Sequence, residues 1–178
     1  VVIFLSEVLD FMDGILQESI GGINSCTIGK IEKFDATTMK ANVIPLVKKK
    51  NKDGTTEDVS LLIEVPVSFL KAGPFLIRPP YKAGDIVLVV FSDRDIENVL
   101  FSGDKGEPIR CETHSLDNAI VVSGIMPFTK TLPGEHSNDL IIAKEDLTSK
   151  IVIKENGEIL IESDRGVTIS GPSKTERW

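Results

Sequence analysis

Three consecutive eight-residue phrases, 151–158 (IVIKENGE), 159–166 (ILIESDRG) and 167–174 (VTISGPSK), each begin with an apolar-x-apolar pair: Ile151/Ile153, Ile159/Ile161 and Val167/Ile169. At a period of two, both members of a pair point to the same side of a strand, so each phrase reads as a short strand followed by a polar turn. Burying two or three side chains per phrase yields roughly 4–9 kcal/mol, at about 1.5–3 each. Fixing eight backbones costs about 8–16 kcal/mol, at roughly 1–2 per residue. A lone ribbon of this kind is unstable, and stacking on further repeats or on other copies of the chain has to close the gap. The tail is therefore expected to be an oligomerising β-prism whose core is Ile151, Ile153, Ile159, Ile161, Val167 and Ile169, with Gly157 and Gly166 at its tight turns. The same residues also permit an ordinary hairpin, because Asn156-Gly157 between alternating runs is a strong hairpin signal. The unchanged spacing of the third phrase favours the prism.

Composition narrows the function. The formal net charge of −7 and sequence pI near 4.9 argue against nucleic acid as the partner, since phosphate backbones are bound by Lys and Arg. Apolar residues at 41% and charged residues at 26% describe a globular protein of one or two domains. The one dense basic run, Lys48-Lys49-Lys50 with Lys52, abuts Asp53-Gly54 and reads as a solvated hairpin tip. Cys26 and Cys111 show no metal-ligand spacing and are expected to be small apolar packers. No apolar run approaches a membrane span, and the opening segment, with Glu7, Asp10 and Asp13 and no basic start, does not read as a secretory signal.

Along the chain, residues 3–20 place Phe4, Leu5, Val8, Leu9, Phe11, Met12, Ile15 and Leu16 at spacings of three and four. This predicts an amphipathic helix ended by Gly21-Gly22, whose apolar face docks on the barrel or on a partner protein, internal packing being favoured. Strands are predicted at 27–34, 40–47, 60–69, 75–78, 85–91 and 99–102, rich in β-branched residues and separated by Gly, Pro, Asp and Asn. Their number and spacing suggest a nearly closed barrel of the OB type. Pro45 and Pro66 should lie at edges or bulges. The expected class is all-β, with an N-terminal helix (1–22), an OB-fold-like barrel (23–105), an irregular connector (106–139) containing a brief strand near 118–122, and a C-terminal β-helix or prism (140–178).

No catalytic constellation emerges. His114 and His136 are the only histidines, and there is no zinc-protease motif, phosphate-cradling glycine loop or nucleophile elbow. Acidic pairs such as Asp93/Asp95 and Glu155/Glu158 read as solvated faces in a chain with 27 acidic residues. The charged cluster Asp93-Arg94-Asp95 is a candidate interface, because a guanidinium between two carboxylates can pin a partner. It can equally be a locally satisfied turn.

The ordered set Gly29-Lys30-Ile31-Glu32-Lys33-Phe34-Asp35, Ala41-Asn42-Val43-Ile44-Pro45-Leu46, Val65-Pro66-Val67, Lys82-Ala83-Gly84-Asp85, Val89 through Ile96 and Ser102-Gly103 resembles the N-terminal domain of central spike proteins from contractile phage tails and phage-tail-like bacteriocins. The resemblance spans roughly residues 20–127 and includes Ser115 to Ala119 and Gly124 to Pro127. It implies an OB-fold barrel joined to a trimeric β-helix, a homotrimer under the tail hub that meets hub, baseplate and tube proteins and is driven into the target cell envelope on sheath contraction. It further implies synthesis in the bacterial cytoplasm, residence in the virion or tail-like particle, and no enzymatic activity. Many such spikes bind iron at the tip through a His-any-His pair. The tail here, Gly171 to Trp178, has none, so no metal or cofactor is expected. The competing expectation is an OB-fold binding module for oligosaccharide or another ligand.

Overall fold

The computed structural model describes residues 8, 11–16, 21–51 and 53–169. Residues 3–7, 9–10 and 17–20 of the predicted N-terminal helix, Lys52 and the tail tip from 170 onward lie outside them. The chain divides into two compact units, Val1–Met126 and Pro127–Trp178.

The first unit is built on a five-stranded antiparallel sheet formed by β1 (Cys26–Asp35), β2 (Lys40–Pro45), β5 (Leu62–Pro66), β8 (Ile86–Phe91) and β9 (Ala119–Gly124). Its order is β5-β2-β1-β8-β9. The sheet curls into a half-barrel until Val67, just past β5, forms a parallel bridge with Val121 of β9. Ser68 N–H donates to the Val121 carbonyl at 2.8 Å across the same junction. This order, closed by a parallel contact between its two outermost members, is OB-like.

Alternation sets the core. Along β8 the odd residues Val87, Val89 and Phe91 are buried and the even ones half-buried. Ile31, Ala41, Val43, Leu62, Val65, Val67, Ala119 and Val121 complete the same cluster. A bulge between Ile31 and Lys33 of β1 resets the alternation, which brings Phe34 onto the core side against Tyr81, edge to face with centroids 5.7 Å apart. Pro45 and Pro66 are the last residues of their strands, where a missing N–H costs no interior ladder bond.

Two small hairpins stand outside this sheet. One pairs β3 (Lys49–Lys50) with β4 (Thr56–Glu57), and Lys48–Asp58 and Lys49–Glu57 ion pairs at 3.1 and 3.4 Å lie along it, which is the expected solvated lysine tip. The other pairs β6 (Leu70–Ala72) with β7 (Phe75–Ile77). Residues 60–69 thus contain the barrel strand β5, whereas 75–78, expected as a barrel strand, contribute β7 to this separate hairpin.

Residues 99–102, expected as a strand, belong to the helix α1 (Glu97–Ser102). Local punctuation decided it: Asp95 Oδ1 accepts the Glu97 N–H at 2.9 Å, and Gly103 closes the helix in the left-handed region at φ 70°. The fifth barrel strand is β9, in the stretch expected to be connector, so the barrel sheet extends past residue 105. The cysteines are also not packers: both are free and exposed, Cys26 because it falls on the outward phase of β1. Residues 11–16 are helical, but Phe11, Met12, Ile15 and Leu16 remain 49–69% exposed, so this part of the helix does not bury its apolar side against its own chain.

The second unit holds a three-stranded antiparallel meander of β10 (Leu140–Ala143), β11 (Ser149–Ile153) and β12 (Ile159–Ser163).

Candidate functional site

The tail meander concentrates the unexplained chemistry of the chain. In antiparallel pairing, opposed residues share a face. Register places Leu140, Ile153 and Ile159 in one row and Ile142, Ile151 and Ile161 in the next. The result is a single aliphatic face, two residues deep and three strands wide. All six side chains are 44–65% exposed, whereas on the opposite face Val152 is fully buried and its row-mates Ile141 and Leu160 are half-buried.

Four of the six predicted core residues, Ile151, Ile153, Ile159 and Ile161, are thus brought together. Val167 and Ile169 are exposed and follow the last strand without pairing. The strands pair within the chain: β11 has both neighbours from its own polypeptide, so the hairpin alternative holds at this level. Leu140 and Ile142 were absent from the predicted core because they sit out of phase with the eight-residue period. A signal was available in the turns, since Lys144-Glu145-Asp146-Leu147 and Lys154-Glu155-Asn156-Gly157 repeat at an interval of ten.

The two turns have the same build. Leu147 N–H donates to the Lys144 carbonyl at 2.9 Å and Gly157 N–H to the Lys154 carbonyl at 2.8 Å. Asp146 Oδ1 accepts the Thr148 N–H and Asn156 Oδ1 the Glu158 N–H, at 3.1 and 3.0 Å, as side chains of this type do in turns. Leu147 and Gly157 occupy the left-handed region at φ 57° and 89°. No atom lies within 4 Å of a Cβ built on Gly157, so Gly157→Ala tests backbone strain without a clash. It is expected to lower stability by about 1–2 kcal/mol, read as the urea midpoint of the full chain.

Charges brace the covered face. Lys150 Nζ lies 3.1 Å from Glu162 and 3.6 Å from Glu135, with the lysine side chain only 10% exposed. The Glu162 hydrogen bond holds its pKa above the ordinary lysine value. Asp139 pairs with the His136 ring at 2.9 Å and accepts the Glu155 N–H at 3.0 Å, which holds its carboxyl below the usual range, the histidine bond contributing most. Asp146 is drawn down to about 2 by the Thr148 hydroxyl, then by Lys144 and the Thr148 N–H.

For these two carboxylates the folded state binds its proton less readily than the unfolded chain. Their stabilisation is complete above the unfolded value near 3.8 and is lost as pH falls toward 2. Lys150 works in the opposite sense, its contribution being present below 10.5 and lost as pH rises through its raised folded value. The tail is expected to hold a flat melting temperature between pH 5 and 9 and to lose it between about pH 4 and 2. Asp146→Asn should reduce that acid slope in circular dichroism melts.

The Asp93-Arg94-Asp95 cluster lies in the barrel unit. Arg94 Nε is 3.4 Å from Asp93, His114 Nε2 is 3.3 Å from the same carboxylate, and Asp95 accepts the Glu97 and Arg110 N–H groups. Asp93 and Arg94 are exposed and Asp95 and His114 half-buried, and the buried His114 Nδ1 has no hydrogen-bond partner among the described residues. Among the described residues no group of three His, Cys, Asp or Glu side chains has a metal-binding arrangement.

Residues 28–124, just over half of the chain, match the family described as the phage protein Gp138 N-terminal domain. The chain belongs to this family. The matched stretch begins in β1 and ends with the last residue of β9, so the Gp138 domain coincides with the half-barrel sheet and leaves the tail meander outside it. No curated protein matches the chain.

Proposed function

We propose that this phage protein is the central spike of a contractile tail: a homotrimer that caps the tail tube beneath the hub, resides in the baseplate and pierces the target cell envelope when the sheath contracts. Its role on this reading is structural rather than enzymatic, with hub and tube proteins as partners of the Gp138 domain. The observation that carries it is the bare aliphatic face of the tail, attached to a domain of a phage family. Six half-exposed aliphatic side chains in two continuous rows form a patch of a kind that monomeric proteins rarely leave in water. Covering their remaining exposed surface is worth about 5–10 kcal/mol per chain. Three copies turning this face inward would make a three-sided prism, each chain supplying one side, with Ile151, Ile153, Ile159 and Ile161 joined by Leu140 and Ile142 in the core and Val167 and Ile169 extending it. A dry core lined by short strands would give a stiff rod suited to transmitting axial force.

The oligosaccharide-binding alternative draws little support from the barrel. The groove beside β5 and α1 contains one aromatic side chain, Phe101, whereas single strands and sugars are usually gripped on several aromatic platforms. Light scattering on the full chain and on a version ending at Met126 tests the proposal. A mass three times 19.4 kDa for the full chain, collapsing on truncation, is the expected result. A monomer in both would overturn it.

A further inference from the structure

The turn between β11 and β12 contains a chemically reactive dipeptide. Asn156 is the only asparagine of the chain that is followed by glycine. The residue type at 157 matters because glycine has no side chain to shield its own backbone nitrogen, which lies within reach of the asparagine side-chain carbonyl carbon and can close a five-membered ring with it. Both residues are exposed, and no atom lies within 4 Å of a Cβ built on Gly157, so water has free access to the pair.

The folded turn holds both reacting groups in other bonds. Gly157 N–H donates to the Lys154 carbonyl at 2.8 Å, and Lys154 N–H to the Glu158 carbonyl at 2.9 Å. Asn156 Oδ1 accepts the Glu158 N–H at 3.0 Å. Ring closure requires the Gly157 nitrogen to lose the proton that it donates to Lys154 and the Asn156 side chain to leave Glu158. Both requirements are met when the end of the hairpin opens, and local openings of this kind cost less than global unfolding.

We propose that Asn156 is a site of spontaneous deamidation gated by the fold of the tail. In the open turn the deprotonated Gly157 nitrogen attacks Asn156 Cγ, an N–C bond forms, and the side-chain nitrogen takes up a proton and leaves as ammonia. Water then opens the resulting succinimide at one carbonyl or the other, giving aspartate or isoaspartate; water is the only co-reactant. The two products differ in their consequences. Aspartate keeps a side-chain oxygen for the Glu158 N–H. Isoaspartate routes the main chain through the side chain and adds one backbone atom before residue 157, so the Gly157–Lys154 and Lys154–Glu158 bonds no longer fit together. The ladder that sets Ile151 opposite Ile161 and Ile153 opposite Ile159 then loses the turn that closes it. Chains with an open tail are thereby withdrawn from the pool that can present the aliphatic face, and chains with a closed tail are spared. The site stands whether the tail is monomeric or trimeric.

The test incubates the full chain at mildly alkaline pH, in native buffer and in concentrated urea, and follows each asparagine-containing peptide by mass spectrometry. In urea, Asn156 is expected to convert ahead of every other asparagine, and in native buffer it should convert more slowly by about tenfold or more. Equal rates in the two conditions would overturn the gating, and conversion in urea no faster than at the other asparagines would overturn the site. A second measurement compares melting temperatures. The Asn156→Asp chain should melt like the unsubstituted protein, and the isoaspartate fraction, separated by chromatography, should melt lower. Equal melting of the two would overturn the proposed consequence for the tail.

Discussion

Ile153→Asp together with Ile161→Asp is expected to yield a folded chain that stays monomeric at concentrations where the unsubstituted protein is trimeric. The two positions lie on neighbouring strands in different rows of the tail face, Ile153 beside Leu140 and Ile159, Ile161 beside Ile151. One substitution in each row leaves no uninterrupted apolar stripe. In the isolated chain both side chains are about half exposed, so the aspartates remain hydrated and the meander keeps its ladder. In a closed prism the same carboxylates would be buried without partners. Each would cost several kcal/mol, and three chains would repeat the cost. The dissociation constant should rise by at least about a thousandfold, equivalent to roughly 4 kcal/mol. Sedimentation velocity reads the mass and circular dichroism the fold. A trimer that survives the double substitution would rule out this face as the interface.

The second large effect belongs to the barrel. Gly29 is buried on the core side of β1, where a Cβ would overlap Val43 Cγ1 while making ordinary contact with Val89 Cγ2 at 3.5 Å. Val43 and Val89 are themselves fully buried, so neither can swing into solvent to make room. Gly29→Ala is expected to destabilise the unit by about 1–3 kcal/mol despite alanine's lower conformational cost. Val43→Ala alone should cost about 2–3 kcal/mol through lost burial and a residual cavity. Combined, the added methyl occupies space vacated by the valine, so the losses should be less than additive by about 1 kcal/mol or more. Urea titrations of the four variants measure the coupling. Strict additivity would show that the core relaxes around residue 29 by another route.

The same register logic explains what could be anticipated. β8 was legible because Ile86 to Phe91 is a continuous apolar run rich in β-branched residues, with Val87, Val89 and Phe91 buried and the even positions half-buried. Glycines 157 and 166 were legible as turns because each ends an alternating run, and both adopt positive φ. The helix at Glu97–Ser102 was not, because Val99-Leu100-Phe101 has strand-like composition and only the flanking Asp95 and Gly103 mark a helix. The half-barrel's last strand, anticipated as a brief strand near 118–122, was not recognised as part of the barrel because it follows a segment broken by glycine and proline and its partner β8 lies some thirty residues earlier in the chain. Cysteine burial failed for a related reason: composition favours the interior, but strand phase sent Cys26 outward.

For the tail, the alternating pairs by themselves determined that Ile151, Ile153, Ile159 and Ile161 share a side and that Asn156-Gly157 reverses the chain, because both follow from the two-residue period and local turn geometry. Only the tertiary structure decided that β10 joins them, that Leu140 and Ile142 widen the face, and that the ladder closes within one polypeptide. Those outcomes depend on which backbone donors find which acceptors across a ten-residue turn repeat, a choice made by register rather than by the order of residues along any single strand.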